Sequence, residues 1–243
     1  MSTAHDQPLI PILYEDNHLL AVVKPPGIPS QADDSGDEDM LTLLKSDLKR
    51  RYDKPGNVFL GLVHRLDRPV GGVMLFAKTS KAASRLSEAV RSRTFGKTYL
   101  AVLTGTPART SGQLTHHLTK DSRTNTVQAF DHPVSGSKEA RLDYRILATA
   151  SGTALAYIRL HTGRSHQIRV QMAAIGCPLV GDRKYGSQSG TSIVHNIALW
   201  SAAIEVAHPV TKEKLRISAA PLQQGSWAPW NEALLQAAVD SAE

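Results

Sequence analysis

Short apolar runs, separated by polar or glycine-containing clusters, follow one another along most of the chain. Runs of this length that end at turn-forming residues are typical of strands. The pattern predicts strands at residues 10–14, 19–23, 60–63, 73–77, 99–103, 142–147, 154–160, 197–200, 203–206 and 215–218. The polar stretch at 105–136, which is rich in Thr, Ser and His, is expected to form hairpins and loops.

Helical spacing of apolar residues is found in four stretches, which begin near residues 40, 80, 166 and 229. Asp39 and Ser165 are placed to cap the first and third of these helices, and Pro229 fits the first turn of the fourth, which runs to Ala238. Many strands, few helices and no regular alternation between them predict an α+β fold. We expect a mixed, largely antiparallel sheet with flanking helices and loops.

The length of 243 residues suits one large domain or two small ones. Neither an internal repeat nor a long linker interrupts the sequence, so we expect a single domain over residues 10–243, preceded by a flexible tail at 1–9. Hydrophobic residues make up 41% of the chain, which is enough for a sizeable core and argues against wholesale disorder.

Basic residues outnumber acidic ones by 28 to 22, which gives a formal net charge of +6 and a pI near 9.5. Five of the acidic residues lie between Asp33 and Asp39, in a polar stretch that predicts a mobile surface loop. On charge alone, a protein with a nucleic-acid partner and a merely basic protein are both compatible with this balance.

Cys177 is the only cysteine, so an intramolecular disulfide and a cysteine-rich zinc or iron–sulfur site are excluded. The sequence has no apolar run near the roughly 20 residues that span a bilayer, and residues 1–8 lack the pattern of a signal peptide. The ten histidines show no spacing known from metal sites. We therefore expect a cytoplasmic protein without a metal ion.

A charged cluster lies between two apolar strands in the segment 61–78. Arg65, Asp67 and Arg68 occupy the connection, and Pro69 with a Gly-Gly pair shapes a tight turn after them. Nearby positive charge favours the ionised form of a carboxyl group. Asp67 is therefore either a nucleophile or one member of a structural ion pair.

The segment 162–171 places a glycine before a predicted helix and two arginines, Arg164 and Arg169, around it. Free backbone N–H groups and positive charge at a helix start favour an anion such as phosphate. Arg169 lies one turn inside the helix, where a buried guanidinium needs a carboxylate partner. Asp67 is a candidate for that partner, although sequence alone does not pair the two residues.

Five blocks in a fixed order resemble the RluA family of RNA pseudouridine synthases. They are 12–16 with 24–27, 64–78, 97–101, 163–186 and 208–211. The second block contains the signature His64-Arg65-Leu66-Asp67, followed by Gly72 and by Leu75-Phe76-Ala77-Lys78. The blocks extend over about residues 10–220, so the resemblance covers nearly the whole chain and implies the pseudouridine synthase catalytic fold.

The chain departs from the family pattern at two positions. Gly71 stands where a serine is common, and Gln171 stands where histidine is usual. Neither position is expected to carry chemistry, so both are interpreted as tuning the fit to RNA. Only about a dozen residues precede the first block, so we expect a stand-alone catalytic domain without the S4 domain of some relatives.

The resemblance implies conversion of uridine to its C-glycoside isomer in structured RNA, either tRNA or rRNA, without a cofactor. It makes Asp67 the nucleophile on a flipped-out uridine, with attack at C1′, attack at C6 and elimination through a glycal all left open. Tyr99 would lie against the base and serve proton transfer, and Arg169 would complete the catalytic set. The implied RNA-binding residues are Arg65, Lys97, Arg164, His166 and Gln167.

We expect a monomer that needs no obligate protein partner and no membrane. Two other functions stay open beside the enzyme. A non-catalytic RNA-binding protein or RNA chaperone on the same scaffold is the first alternative, although it would be expected to lack Asp67, Tyr99 or Arg169. A hydrolase that uses Asp67 is the second, although the sequence offers it no second acid or metal set.

Overall fold

The computed structural model describes residues 10–186 and 196–241. In chain order the elements are β1 (Ile12–Glu15), β2 (Leu19–Lys24), α1 (Met40–Arg51), β3 (Gly61–Leu62), β4 (Gly71–Ala77), α2 (Ser80–Arg91), β5 (Gly96–Thr104), β6 (Ser111–Asp121), β7 (Thr126–Phe130), β8 (Lys138–Ala150), β9 (Thr153–Leu160), α3 (Gln167–Ala174), β10 (Leu199–Ala207), β11 (Lys214–Ser218), a 3-10 turn (Gly225–Trp227) and α4 (Glu232–Asp240).

The chain divides into two compact units. The first comprises Met1–Phe95 with Ile204–Ala219, and the second comprises Gly96–Ala203 with Ala220–Glu243. The predicted α+β class, with many strands and few helices, is confirmed. The tail expected at residues 1–9 lies outside the described residues, and a single domain over 10–243 stays a prediction.

The first unit is built on strands that are apolar on both faces. β2 pairs antiparallel with β1 on one side and with β4 on the other, and all seven residues of β4 are buried. α2 lies over this sheet through Ala82 and Leu86, which belong to one core cluster with Leu75 and Phe95. The helical stripe read from the sequence at 80–93 is the face that α2 buries.

The second unit is a meander of longer strands. β5, β9, β8, β6 and β7 pair in that order, and the registers from β5 to β7 are all antiparallel. The hairpin of β6 and β7 falls in the polar stretch that was expected to form hairpins. One core cluster joins Val170 of α3 to Leu118, Val127 and Ala140 of these strands.

Three local predictions are wrong. Ser165 does not cap α3, because His166 takes the cap position with a left-handed φ of 51° and without a side-chain cap hydrogen bond. Residues 197–200 and 203–206 do not form two strands, since β10 runs unbroken through this region. Pro229 precedes α4 instead of starting it, and the helix is capped by Asn231, whose side chain accepts from the Leu234 N–H.

The described helices have at most 12 residues, and none of them is long and apolar enough to cross a membrane.

Candidate active site

The loop that carries Asp67 connects β3 to β4 in the first unit. A backbone hydrogen bond of 2.9 Å from the Val70 N–H to the Asp67 carbonyl closes its turn. Leu66 is buried, and the Ser30 hydroxyl both donates to its carbonyl (2.8 Å) and accepts from its N–H (3.1 Å). Asp67 itself is half-buried, and its neighbours Arg65 and Arg68 are exposed.

His64 anchors the start of this loop. Its Nε2 accepts a 2.9 Å hydrogen bond from the Leu75 N–H of β4, and its ring lies 5.2 Å from the ring of Phe95. An imidazole nitrogen that accepts from a backbone N–H carries no proton. The proton of a neutral His64 is therefore on Nδ1. The side chain connects the start of the loop to β4 by a hydrogen bond.

Lys24, the last residue of β2, fixes the other end of the loop. The side chain is fully buried, and its Nζ donates to the carbonyl oxygens of Pro25 (3.0 Å), Arg68 (3.0 Å) and Val70 (2.7 Å). An ammonium group has three N–H donors, so each donor finds one carbonyl. Burial lowers the pKa of Lys24 to about 7, and the negative charge of Asp67 acts in the opposite direction.

The predicted tuning position Gly71 is the first residue of β4, and Gly72 after it pairs with Lys24 across the sheet. Gly72 has a φ of 115°, a conformation that side chains rarely adopt. The Gly-Gly pair therefore serves the turn that leads from the Asp67 loop into β4.

In the second unit, Arg169 projects from α3 onto a buried carboxylate. Its Nε and one terminal nitrogen each lie 2.8 Å from an oxygen of Asp182, a two-point arrangement typical of strong guanidinium–carboxylate pairs. Burial by itself would raise the pKa of Asp182, but the hydrogen bonds and charge of Arg169 outweigh it and lower that pKa. The expectation that Arg169 needs a carboxylate is met within its own unit by Asp182, which the sequence had not singled out. Asp67, the candidate partner named from sequence, belongs to the other unit.

Tyr185 packs against the same guanidinium. The centre of its ring is 5.1 Å from the central carbon of Arg169, and its hydroxyl lies 2.6 Å from Nδ1 of His166. The hydroxyl also accepts from the Val127 N–H at 2.8 Å. The hydroxyl donates to His166 Nδ1 when that nitrogen carries no proton, and it accepts from Nδ1 in the other tautomer. His166 is thereby held in one ring orientation at the start of α3.

Gln167 is almost entirely inside the protein, with 3% of its surface exposed. Its Oε1 accepts from the Thr162 hydroxyl (2.8 Å) and from the Arg164 N–H (3.0 Å), and its Nε2 donates to the Arg141 carbonyl (3.1 Å). These bonds fold the 162–166 loop onto β8. Contact of Gln167 with RNA stays a prediction. The hydrogen bonds observed for this side chain stabilise the conformation of the loop.

Lys97 and Arg164 are both neighbours of Gly163, Lys97 through space and Arg164 as the next residue in the chain. A Cβ atom on Gly163 would come within 2.8 Å of the Lys97 Nζ, so the ammonium lies close against the backbone of this glycine. Burial lowers the pKa of Lys97, and this ammonium has no hydrogen-bond or ion-pair partner within 10–186 and 196–241. Arg164 is half-exposed, and its Nε donates to the Glu139 carbonyl at 2.9 Å. Both cations are placed as an anion site would require.

Tyr99 lies in the middle of β5, opposite Ile158 of β9, and is 6% exposed. Gln171, the second departure from the family pattern, is fully buried on α3. Its Nε2 lies 3.0 Å from Nδ1 of His116 and 3.2 Å from the Ala140 carbonyl, so it ties α3 to β6 and β8. The side chain acts inside the protein, and no part of it is exposed for contact with RNA.

Sequence reasoning missed four residues that build these sites, namely Lys24, Ser30, Asp182 and Tyr185. Three of them lie inside the blocks that carry the family resemblance, but that resemblance assigned no role to them. Ser30 had no signal, because its contacts with Leu66 depend on how the chain folds. Within the described ranges, no group of three His, Cys, Asp or Glu residues is arranged to hold a metal ion.

Comparisons with known proteins agree on one family. A family model described as RNA pseudouridylate synthase matches residues 18–174. The uncharacterized RNA pseudouridine synthase YhcT of Bacillus subtilis is 32% identical over 213 residues, which cover 86% of this chain and 68% of that protein. The dual-specificity RNA pseudouridine synthase RluA of Escherichia coli is 30% identical over 207 residues, which cover 84% of this chain and 89% of that protein.

A further relative is the ribosomal large subunit pseudouridine synthase D of Yersinia pestis, which is 37% identical over 180 residues. That match covers 73% of this chain and 53% of the relative, so the chain spans about half the length of that protein.

Solved structures give the same fold. Human RNA pseudouridylate synthase domain containing 1 superposes with a TM-score of 0.75 at 23% identity and covers 96% of both chains. Human RNA pseudouridylate synthase domain containing 4 superposes with a TM-score of 0.71 at 22% identity, over 86% of this chain and 87% of the human one. The family model and the curated relatives together establish the family: the chain belongs to the RluA family of RNA pseudouridine synthases, isomerases that convert uridine in RNA to pseudouridine.

Proposed function

We propose that this enzyme isomerises specific uridines in structured RNA, either tRNA or rRNA, with Asp67 as the nucleophile on a flipped-out uridine. The observation that carries the proposal is the way the Asp67 loop is held. Three side chains from outside the loop or at its edge, Lys24, Ser30 and His64, fix its backbone, and Asp67 itself is half-buried. A nucleophile needs such fixed presentation, because its attack depends on geometry.

The reaction exchanges one bond for another without a cofactor. The bond between N1 of the base and C1′ of the ribose breaks, the base turns, and a bond forms between C5 and C1′. C5 then gives up its proton and N1 takes one, so the atoms balance. Attack at C1′, attack at C6 and elimination through a glycal all use an ionised carboxylate.

Base flipping must come before this chemistry, since a uridine stacked in a helix is out of reach and extruding it costs a few kcal/mol. We assign Arg65, exposed on the Asp67 loop, to the space that the flipped base leaves. Lys97, Arg164 and His166 would bind backbone phosphates around the target, because the first two are cations next to Gly163. Gln167 would support this contact from within.

Tyr99 and Arg169 complete the proposed catalytic set. Tyr99 would lie against the base and serve the proton transfer from C5, either directly or by positioning the group that does. Arg169 would belong to this set by its position in the family pattern, and its pairing with Asp182 holds its guanidinium in one orientation. The family shares this chemistry, and the roles assigned to individual residues are proposals for this chain.

The proposed setting is the cytoplasm, where the protein would act as a monomer on RNA alone. The low cysteine content fits a reducing compartment. The names of two relatives support an RNA target, since one is a ribosomal large subunit enzyme and the other a dual-specificity RNA enzyme.

Mapping of pseudouridine in total RNA tests the proposal directly. Cells that carry Asp67→Asn should lose particular pseudouridines that cells with the wild-type gene retain. The purified variant should still bind unmodified tRNA or rRNA transcripts, because only the nucleophile is removed. Asp53→Asn is a matched control, since Asp53 is exposed and has a φ of 45°, a conformation that asparagine tolerates.

An Asp67→Asn enzyme that still forms pseudouridine would contradict the nucleophile assignment. Unchanged RNA in both strains, together with binding by the purified wild-type protein, would favour the non-catalytic RNA-binding alternative.

A further inference from the structure

Arg68, the residue after Asp67, is held by a segment that the reaction does not use. Its Nε donates to the Gly27 carbonyl at 3.0 Å, and one terminal nitrogen pairs with the carboxylate of Asp37. A carboxylate oxygen of Asp33 lies 4.0 Å from the other terminal nitrogen. The acidic segment 33–39 therefore folds onto a cation of the Asp67 loop.

These ion pairs are open to water. The side chains of Arg68, Asp33 and Asp37 are 42%, 44% and 55% exposed. Exposed ion pairs are weak and are screened by salt, so another anion can replace the carboxylates. The remaining acids of the segment behave differently, because Asp39 caps α1 while Asp34 and Glu38 are exposed and have no ion-pair partner among the residues that the structure describes.

Carboxylate and phosphate are bound by a guanidinium in the same planar, two-point manner. A nucleotide that presents its base to Asp67 carries phosphates on both sides of its ribose. Arg68 follows Asp67 in the chain and its side chain is 42% exposed, so it is, with Arg65, a cation of this loop that is accessible to such a phosphate. In the free protein Asp37 and Asp33 stand where such a phosphate would bind.

We propose that Arg68 binds an RNA phosphate next to the target uridine and that Asp37, with Asp33, occupies Arg68 until RNA displaces them. The inference rests on the proposed role of Asp67. The acidic segment would then contribute to specificity, since its negative charge repels a polyanion that does not fit the site. An RNA that fits exchanges the carboxylates for its own phosphate.

The test compares Asp37→Asn with Asp34→Asn, which removes the same charge from the same segment but touches no partner. Binding is measured at low salt with unmodified tRNA transcripts and, separately, with an unmodified large-subunit rRNA transcript. Asp37→Asn should tighten binding and lower KM by roughly two- to five-fold, as loss of a competing exposed ion pair allows. The kcat should not change, and Asp34→Asn should have a smaller effect.

Arg68 is tested by its own pair of variants. Arg68→Gln should weaken binding and reduce the slope of log affinity against log salt by about one phosphate contact. Arg68→Lys keeps the charge and should retain most of that slope. In the Arg68→Gln background, Asp37→Asn should no longer tighten binding, because Asp37 then has no cation for which it competes with RNA.

Equal effects of Asp37→Asn and Asp34→Asn would overturn the inference, since the segment would then act only through its net charge. An unchanged salt slope in folded Arg68→Gln would overturn it as well. Failure of the proposed function is seen separately, as a wild-type enzyme without activity or an active Asp67→Asn. The Asp37 and Asp34 variants lie on an exposed loop and keep the test valid if Arg68→Gln does not fold.

Discussion

Two regions of the molecule each bury a basic side chain beside residues assigned to catalysis, and they neutralise its charge by different means. In the first unit, the Lys24 ammonium is held by three carbonyl oxygens, two of them in the Asp67 loop (Arg68 and Val70) and one from Pro25. In the second unit, the Arg169 guanidinium is held by the carboxylate of Asp182.

The two regions differ in how far the partner groups neutralise the buried positive charge. Carbonyl dipoles leave a full positive charge in a buried place, and burial brings the pKa of Lys24 down to about 7. A carboxylate cancels the charge of an arginine, which stays protonated at any ordinary pH. The Asp67 loop is therefore stabilised by an ammonium group whose pKa lies near neutrality. In contrast, α3 is stabilised by the Arg169–Asp182 ion pair, which stays charged at neutral pH.

The largest expected effect comes from breaking the pair in the second unit. Asp182→Ala removes the carboxylate that binds two nitrogens of the buried Arg169 guanidinium, and breaking one partner of a buried pair typically costs about 3–5 kcal/mol of stability. Urea unfolding should show this loss. Adding Arg169→Met to Asp182→Ala should restore part of it, because the double variant buries no charge.

A single Asp182→Ala that costs less than about 1 kcal/mol would contradict the comparison, since exposed pairs contribute that little. The exposed pair of Glu88 and Arg91 offers the control, and Glu88→Ala should change stability only slightly.

Lys24 should make stability depend on pH, and Lys24→Met should remove that dependence. The folded-state pKa of about 7 is below the ordinary value of 10.5, so the unfolded chain binds more protons between these values. Stability from this group therefore rises with pH across that window, and its burial penalty is fully present only below it. The rise amounts to a few kcal/mol at most, since one pKa unit corresponds to about 1.4 kcal/mol.

Urea unfolding at about pH 6 and about pH 9 measures this effect for wild type and for Lys24→Met. The wild type should gain more stability between the two values than the variant does. Parallel changes in both proteins would show that another group titrates. Lys78→Met is the matched control, because its ammonium pairs with the Glu15 carboxylate at 2.6 Å.

The sequence predicted the first region better than the second. The Asp67 loop is local, since its apolar flanks, Pro69 and the Gly-Gly pair act within a few residues. The cap of α1 by Asp39 is equally local and is confirmed, with its side chain accepting from two N–H groups of the first turn. The strands and the α+β class also follow from short-range patterns.

In both regions the side chains that hold the site act across the sequence: Lys24 reaches the Val70 carbonyl over 46 residues and Ser30 reaches the Leu66 carbonyl over 36. Asp182 binds Arg169 from beyond the end of α3, and Gln167 reaches the Arg141 carbonyl of β8. The start of α3 was misread because Ser165 looks like a cap, whereas the loop is held by Gln167 and by the left-handed His166. No local pattern reports such pairings, which depend on how the strands align.

Substitutions at the start of α3 are expected to have the smallest effect on stability. Two nearby positions, Gln167 and Ser165, should nevertheless differ clearly. Gln167→Ala removes three hydrogen bonds and leaves the Arg164 N–H to find a new partner, which should cost roughly 1–3 kcal/mol. Ser165→Ala should stay within about 0.5 kcal/mol of wild type, as exposed substitutions away from caps do. Equal losses in urea unfolding would mean that Ser165 contributes as a cap after all. A loss confined to Gln167, with weaker RNA binding than in Ser165→Ala, would show that the same side chain orders the loop on which Arg164 meets RNA.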